Sequence, residues 1–235
     1  MKDAAESNAD LSADDYVFHV AEHFVSINGE ARRAGEPAVF IRLAGCNLRC
    51  GYCDTAWAID RKIQCDDMTA MEILKYIKTT GITNVTVTGG EPLISDNIGK
   101  LLEMLTDGTG LNIEVETNGA IDIRPYYGIS GVSMTVDYKC PGSGMEKFMF
   151  LQNFEEIREC DTVKFVVSDK NDLKRMKEII YKYDLIKKTK VYVSAVFGRI
   201  DPKEIVSFII DNKLNEVRFQ LQIHKFIWNP EKRGV

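Results

Sequence analysis

The sequence of 235 residues has no run of 18 consecutive apolar residues, which excludes an ordinary transmembrane helix. It also lacks a basic excess, since 30 Lys and Arg stand against 35 Asp and Glu, for a net charge of −5. This balance disfavours a general nucleic-acid or membrane-surface binder. The start, MKDAAESNADLSADDY, lacks the basic and apolar segments of a signal peptide. We therefore expect residues 1–14 to be an acidic, poorly ordered lead-in and the protein to be cytoplasmic.

The chain shows no internal repeat, low-complexity tract or linker, so we expect residues 15–235 to form a single domain. Short β-branched runs alternate with amphipathic stretches of helical spacing, a pattern typical of parallel βα units. Strands are predicted at 38–44, 84–88, 112–117, 131–137, 162–168, 190–197 and 216–223. Helices are predicted at 69–80, 95–108, 169–185 and 201–213.

The connection between the third and fourth predicted strands is short and contains Gly119, Pro125, Gly128 and Gly131. Such a segment is poor helix material, so one βα repeat is expected to lack its helix. The predicted fold is therefore α/β, a partial, open βα barrel with abbreviated helices rather than a closed eightfold barrel.

Three cysteines lie within eight residues, in the segment GCNLRCGYCDT: Cys46, Cys50 and Cys53. In a reducing compartment, clustered cysteines bind metals or catalyse reactions more often than they form disulfides. Three thiols without a fourth indicate a metal centre with one open position. A structural zinc with Cys65 as the fourth ligand is the alternative, while Cys140 and Cys160 are interpreted as ordinary small residues.

Unusual polar segments follow the predicted strands one after another. The cysteine segment follows the first strand, GGEP (89–92) follows the second, ETNG (116–119) ends the third and DYKCP (137–141) ends the fourth. Ser168 closes the fifth strand, and His224 follows the last. In parallel βα barrels the chemistry lies at the carboxyl ends of the strands, so these segments are expected to meet on one rim.

The CxxxCxxC spacing, the aromatic residue before its last cysteine and the GGE segment together resemble the radical S-adenosylmethionine (SAM) superfamily. The resemblance implies that three thiolates hold three irons of a [4Fe–4S] cluster and that the fourth iron binds SAM. Soft thiolates suit such clusters. Reductive cleavage of SAM to a 5′-deoxyadenosyl radical would be chemistry supplied by the cofactor.

Further stretches resemble one family within this superfamily, the 7-carboxy-7-deazaguanine synthases, from about residue 16 to the end. They are SINGE (26–30), FIRLAGCNLRCGYCDT (40–55), VTGGEPL (87–93), ETNG, QIHKFIW (222–228) and the terminal KRGV. The resemblance implies conversion of 6-carboxy-5,6,7,8-tetrahydropterin to 7-carboxy-7-deazaguanine with loss of ammonia, using SAM, the cluster and Mg²⁺. That reaction belongs to the biosynthesis of queuosine and other 7-deazapurines.

The same resemblance implies a flavodoxin or ferredoxin as the electron donor and a homodimeric state. Two other functions remain open at this point. One is a radical SAM activase that abstracts hydrogen from a glycine of a partner enzyme. The other is a non-catalytic iron–sulfur or zinc interaction module.

The resemblance also implies roles for individual residues. Residues implied to bind SAM are Tyr52, Cys53, Asp54, Gly89, Gly90, Glu91, Glu116, Asn118, Asp137, Tyr138 and Lys139. Residues implied to bind the substrate are Ile27, Asn28, Gly29, Glu30, Arg42, Thr88, His224 and Val235. Thr55 matches the family's Mg²⁺ ligand, and the Glu91 carboxylate suits the SAM amino group.

Some of these residues also have a plain structural interpretation. Arg42 could form a buried salt bridge, His224 could be a satisfied structural histidine, and Thr55 could cap a short helical turn.

The chain departs from the family's pattern in two segments. In the early loop Asn28 replaces the usual Gln, and Ala31 and Arg32 follow where Gly is common. After the fourth strand the family often has SPKPPSSGM, whereas this chain has DYKCPGSGM, with Asp137 in place of Ser and Tyr138 in place of Pro.

Overall fold

Nine strands form one sheet in the computed structural model, which describes residues 16–235. The lead-in predicted over residues 1–14 lies outside the described residues. The strands are β1 (Val17–Ile27), β2 (Pro37–Leu43), β3 (Asp66–Thr69), β4 (Asn84–Gly89), β5 (Asn112–Thr117), β6 (Val132–Tyr138), β7 (Thr162–Val167), β8 (Lys190–Ala195) and β9 (Val217–Phe219).

The sheet follows the order β3-β1-β2-β4-β5-β6-β7-β8-β9. Strand β1 pairs antiparallel with β2 and β3, and the pairs from β2–β4 to β8–β9 are all parallel. Because β3 and β9 are the two edges, the barrel is not closed. The prediction of an open α/β barrel is confirmed.

The helices are α1 (Ala70–Thr80), α2 (Ile98–Thr106), α3 (Gln152–Glu155), α4 (Lys170–Lys182), α5 (Leu185–Lys188), α6 (Pro202–Asp211) and α7 (His224–Ile227). The four predicted helices correspond to α1, α2, α4 and α6. Thr69 and Glu72 form the capping box at the start of α1, and Asp201 caps α6 before Pro202.

The connection from β5 to β6 contains only the 3₁₀ turn Arg124–Tyr126, so the missing helix is confirmed. Two strands were not predicted, β1 and β3. In β1 the register shifts between Val20 and Glu22, and this bulge interrupts the alternation of buried and exposed residues that would mark a strand. Strand β9 is also shorter than predicted and ends at Phe219.

The two faces of the sheet differ in chemistry. On β4, Val85 and Val87 join the apolar core shared with the helices, while the hydroxyl of the intervening Thr86 contacts Asn28 across the inner face. A parallel sheet covered by helices on both faces would read as a continuous apolar run. The alternation here leaves a polar inner face, which provides the space for a site. No helix of residues 16–235 could cross a bilayer.

Candidate active site

The three-cysteine segment forms a loop after β2 that is held by main-chain hydrogen bonds. The N–H groups of Gly45 and Cys46 donate to the carbonyls of Ala58 and Ile59 at 2.8 and 3.0 Å. The N–H of Gly51 donates to the carbonyl of Ser143 at 3.0 Å. The loop is therefore positioned largely by backbone contacts, with its thiols left for other partners.

The three thiols are half-buried neighbours. Burial raises the pKa of Cys50, the ammonium of Lys139 lowers it, and the nearby thiols of Cys53 and Cys46 raise it further. Iron binding would release these protons, since the thiolate is the ligand. Within residues 16–235, no three or more His, Cys, Asp or Glu side chains converge on a point suited to a single metal ion. Thiolates that each bind a different iron of a cluster need not converge, so the donor set fits the cluster.

The structural zinc interpretation finds no support in the position of Cys65. Burial, followed by the carboxylates of Asp67 and Asp66, raises the pKa of this thiol. Cys65 thus lies immediately before β3, in an acidic environment, and the cysteines of the loop are not among its electrostatic neighbours.

The GGE segment packs directly on the cysteine loop. A Cβ atom at Gly89 would collide with the backbone of Leu43, and one at Gly90 would collide with the backbone of Gly45. The N–H of Glu91 also donates to the carbonyl of Gly45 at 2.8 Å. The two glycines are therefore required for close packing of β4 against the loop.

The Glu91 side chain does not face a ligand, contrary to the sequence prediction. It is fully buried, and its carboxylate accepts hydrogen bonds from the N–H groups of Leu93 and Asn118 and from the hydroxyl of Thr117, at 3.0, 2.6 and 2.9 Å. Burial raises the pKa of Glu91 to about 7, although these three donors lower it. Glu91 joins the ends of β4 and β5, and the part of the motif left for a ligand is its backbone.

Asn118, at the end of β5, reaches the cysteine loop. Its Nδ2 donates to Oδ1 of Asn47 at 2.8 Å and lies 3.7 Å from Sγ of Cys46. The predicted association of ETNG with the cysteine segment is therefore present in the geometry.

Tyr52 and Asp54 attach the other side of the loop. The hydroxyl of Tyr52 donates to the carbonyl of Val166 at 3.2 Å, on β7. Asp54 accepts from Lys225 at 3.0 Å and from the Thr55 hydroxyl at 3.1 Å. Burial raises the pKa of Asp54, but the Lys225 ammonium, the Thr55 hydroxyl and the Lys164 charge together lower it to about 2. The Thr55 side chain makes no capping hydrogen bond, so the capping interpretation is wrong.

The end of β6 carries two inward-facing charges, Asp137 and Lys139, at 2.8 Å. Burial lowers the pKa of Lys139, but the Asp137 carboxylate and the Cys50 thiol raise it above its ordinary range. Tyr138 lies between them on the strand and therefore points to the opposite face. It is buried beside Phe154 and bonds Glu146, so its side chain cannot contact SAM as the sequence predicted.

A buried lysine on β7 continues this line of charges. The Nζ of Lys164 lies 3.3 Å from Asp137 and 3.3 Å from Glu30, and Glu30 also accepts from Ser194 at 2.8 Å and from Gln222 at 3.1 Å. Sequence reasoning missed Lys164, Ser194 and Gln222. A lysine within the apolar strand TVKFVV was the one available signal, because such a position is buried and requires a partner.

The segment after β9 runs along residues 27–31, which we call the substrate loop. The Gln220 amide accepts from the N–H of Ala31 at 2.6 Å and donates to its carbonyl at 3.3 Å. Gln222 bonds Glu30, and the ring of His224 packs so closely on Gly29 that a Cβ there would collide with it. The three side chains at 220, 222 and 224 thus contact residues 31, 30 and 29 in turn.

Asn28 of the substrate loop is buried at the inner face of the sheet. Its Oδ1 accepts from the Thr86 hydroxyl at 2.8 Å, while its Nδ2 has no hydrogen-bond partner among residues 16–235. Arg42 pairs with Glu22 at 2.7 Å, so the salt-bridge interpretation of Arg42 is confirmed. Thr88 is buried beside Arg42 in the register of β2 and β4.

Two glutamates on β5 occupy the same inner face. Burial, and then the charge of Glu116, raises the pKa of Glu114 to about 7. Burial lowers the pKa of His224, while Glu30 and Glu116 act in the opposite direction. Glu116 thus acts electrostatically on both His224 and Lys164, and its SAM role stays a prediction.

Ile27 pairs with Pro37 at the amino end of β2, the end of the sheet opposite the cysteine loop. Ile27 is the last residue of β1 and leads into the substrate loop. In the tail that ends at Val235, the guanidinium of Arg233 stacks 4.0 Å over the ring of Trp57, which lies in the 3₁₀ turn after the cysteine loop. The tail thus runs beside the site, and the role of the Val235 carboxylate stays a prediction.

Comparisons with known proteins agree with this geometry. The Radical SAM superfamily model matches residues 40–126. The chain is 52% identical to the 7-carboxy-7-deazaguanine synthase of Clostridium acetobutylicum, over 93% of this chain and 99% of that protein. It is 36% identical to the 7-carboxy-7-deazaguanine synthase of Leptospira interrogans, over 92% of this chain and 97% of that protein.

A similar fold is found in the crystal structure of QueE from Escherichia coli, with a TM-score of 0.68 and 23% identity over 87% of this chain and 93% of that one. This likeness supports the fold, and the sequence identities to the two synthases show the family. The chain belongs to the 7-carboxy-7-deazaguanine synthase family of radical SAM enzymes.

Proposed function

We propose that this protein converts 6-carboxy-5,6,7,8-tetrahydropterin to 7-carboxy-7-deazaguanine with loss of ammonia, in queuosine or related 7-deazapurine biosynthesis. The observation that carries the proposal is a chain of salt bridges from Lys139 through Asp137 and Lys164 to Glu30 on the substrate loop. At its other end, the Lys139 ammonium lowers the pKa of the Cys50 thiol in the cysteine loop. A radical formed beside the loop would therefore meet a substrate bound at the inner face.

The cysteine loop and the residues at the end of β6, which we call the cofactor half, would bind and orient the two cofactors. Membership in the superfamily implies a [4Fe–4S] cluster and SAM, which together supply a 5′-deoxyadenosyl radical when bound and reduced. The thiolates of Cys46, Cys50 and Cys53 would hold the cluster. Asp137 can accept from ribose hydroxyls, and Lys139 offers a cation to the SAM carboxylate.

The residues of the substrate half match the polarity of a carboxypterin. Glu30 presents a carboxylate oriented by three donors, suited to accept from the amino and ring N–H groups of the pterin. The free Nδ2 of Asn28 is a buried donor. Arg42 uses Nε for Glu22, which leaves its other guanidinium nitrogens to face the carboxylate of the substrate. Thr88, His224 and Val235 would line the same space.

Mg²⁺ is part of the proposal, with Thr55 as its protein ligand. The Thr55 hydroxyl and the Asp54 carboxylate lie side by side, and hard oxygen ligands suit this ion. The ion would orient the substrate beside the cysteine loop. Thr55→Ala should weaken the Mg²⁺ response of the turnover rate while iron content stays unchanged, and Thr55→Ser should keep it. An Mg²⁺ response of Thr55→Ala equal to that of the wild type would remove Thr55 from the metal site.

Three further expectations belong to the proposal. Residues 15–235 would form the catalytic domain, acting as a homodimer in the cytoplasm. A flavodoxin or ferredoxin would deliver the electron, since both are one-electron carriers of low potential. Analytical ultracentrifugation tests the dimer, and a sedimentation coefficient of a monomer at micromolar concentration would contradict it.

Anaerobic turnover tests the proposed reaction. Reconstituted, reduced protein is mixed with SAM, Mg²⁺ and 6-carboxytetrahydropterin, and the products are followed by mass spectrometry. The expected product is lighter than the substrate by one ammonia and appears together with 5′-deoxyadenosine. Formation of 5′-deoxyadenosine alone would retain radical SAM chemistry and overturn the substrate, as a glycyl-radical activase would require. One zinc per chain without sulfide would overturn both.

A further inference from the structure

Lys164 on β7 connects the two halves of the candidate active site through two ion pairs. Its Nζ lies 3.3 Å from Oδ1 of Asp137 and 3.3 Å from Oε2 of Glu30. Asp137 stands at the end of β6 in the cofactor half, and Glu30 belongs to the substrate loop. One ammonium group is therefore shared between a carboxylate of each half.

The position of Lys164 is set by the sheet rather than by a loop. Asp137 and Lys164 are direct neighbours in the register of β6 and β7. The residues beside Lys164 on its strand, Val163 and Phe165, are fully buried in the apolar core on the opposite face. The ammonium group thus enters the site from a rigid strand, which is a placement that holds a functional group precisely.

The three charged side chains are largely excluded from water. The exposed fraction is 9% for the side chain of Lys164, 8% for that of Glu30 and 18% for that of Asp137. Burial lowers the pKa of Lys164, but Asp137 and Glu30 raise it above its ordinary range, so the ammonium is charged. Electrostatic interactions between buried charges are stronger than in water. A change at one carboxylate therefore alters the interaction of the ammonium with the other.

Each carboxylate also has a partner within its own half. Lys139 donates to Oδ2 of Asp137 at 2.8 Å, and Ser194 donates to Oε1 of Glu30 at 2.8 Å. These bonds hold each carboxylate locally, whereas the two ion pairs of Lys164 join the halves to one another. Loss of Lys164 would thus remove the connection while leaving both local contacts in place.

We propose that Lys164 is a positioning residue that aligns Asp137 with Glu30. The inference rests on the proposed function, because it takes Asp137 to bind the SAM ribose and Glu30 to bind the carboxypterin. A radical formed from SAM must lie within reach of the substrate, and a displacement of about 1 Å can lower such a rate about a hundredfold. Lys164 acts through the two carboxylates rather than on the reacting atoms.

The first test measures binding and needs neither SAM nor turnover. Anaerobic calorimetry with 6-carboxytetrahydropterin compares the wild type, Asp137→Asn, Lys164→Gln and the double variant. Asp137→Asn leaves the ammonium to Glu30 alone, where it competes with the N–H groups of the pterin. The Kd should therefore rise about fivefold, although Asp137 is assigned to SAM. In the Lys164→Gln background, Asp137→Asn should leave the Kd unchanged.

The second test measures the alignment during turnover at matched cluster content. Lys164→Gln should still cleave SAM but should form product about a hundredfold more slowly, so the ratio of 5′-deoxyadenosine to product rises. Lys164→Arg keeps a cation between the carboxylates and should recover most of the product. The control is Met176→Ala, which removes a fully buried side chain of α4 from the apolar core. It should lower the stability and keep the wild-type ratio.

An unchanged ratio in Lys164→Gln, or an equal rise in Met176→Ala, would overturn the positioning role. If Lys164→Gln does not fold, the Asp137→Asn titration decides, and a Kd equal to that of the wild type would overturn the role. The proposed reaction fails separately. Wild-type protein that does not convert the carboxypterin would overturn the reaction and the positioning role with it, whereas a wild-type ratio in Lys164→Gln would overturn the positioning role alone.

Discussion

Around the cysteine loop the positioning groups are mainly backbone N–H and carbonyl groups, whereas around the substrate loop they are charged and amide side chains. The loop contacts of Gly45, Cys46 and Gly51 are main-chain bonds. Glu30, by contrast, is held by three side chains that lie 134 to 192 residues away in sequence. The half built mainly from backbone contacts depends on fewer side chains: its ligands, its glycines and the contacts of Tyr52, Asp54 and Asn118. A side-chain-built half depends on each partner.

The largest effect is expected from the loss of one cluster ligand in the cofactor half. Cys50→Ala removes one of three thiolates, so the cluster loses a protein ligand and 5′-deoxyadenosine formation should fall to background. The control Cys65→Ala removes a thiol outside the loop and should retain both iron and cleavage. Iron and sulfide analysis with SAM cleavage checks the pair. Full cleavage by Cys50→Ala would refute the cluster assignment.

The second largest effect is expected at Lys164, the cation that two carboxylates of the substrate half share. Lys164→Met leaves Asp137 and Glu30 buried without their common partner, which should destabilise the fold by about 3–5 kcal/mol. Lys164→Arg keeps the charge and should restore part of the stability. Unfolding of the variants at matched cluster content measures the loss. A Lys164→Met protein as stable as the wild type would show that the two carboxylates need no cation.

A smaller effect concerns pH. The folded-state pKa of Glu114 is raised from 4.5 to about 7, first by burial and then by Glu116. The folded state therefore retains this proton longer than the unfolded state, and stability falls as pH rises from about 4.5 to 7. The loss from this residue is about 3 kcal/mol and stays constant at higher pH.

Glu114→Gln should remove that part of the pH dependence and should gain stability relative to the wild type at pH 8. The control Glu216→Gln changes an exposed side chain before β9 and should leave the profile unchanged. Chemical unfolding at pH 5 and pH 8 measures both variants. If the free energy of unfolding changed equally between pH 5 and pH 8 in Glu114→Gln and the wild type, Glu114 would be excluded as the source of the pH dependence.

The smallest effect is expected from the backbone conformation of Ala31 in the substrate loop. Ala31 adopts a φ of 63°, a left-handed conformation that costs a residue with a Cβ about 1 kcal/mol. Ala31→Gly should therefore raise the stability by up to about that amount, since Gln220 contacts only the backbone there. Ala34→Gly, at a position without this conformation, should lower it slightly. Thermal unfolding distinguishes the two, and equal shifts would contradict strain at Ala31.

The sequence by itself determined the repeating elements and the cofactor half. Seven strands, the four long helices and the abbreviated β5–β6 connection follow from local periodicity, caps and glycines. The cysteine loop and GGE are short contiguous motifs, and their chemistry is contained in their own residues. Parallel βα units bring the carboxyl ends of neighbouring strands together, so their association could also be predicted.

Only the tertiary structure decided which side chains face the site. Strand alternation turns Tyr138 away and Asp137 inward, and the buried bonds of Glu91 direct it into the fold. Lys164 is part of the site because β7 places it between two distant carboxylates. Such partners are set by long-range packing, which no local pattern encodes. The cofactor half could be predicted from contiguous residues, whereas the substrate half exists only once the sheet has assembled.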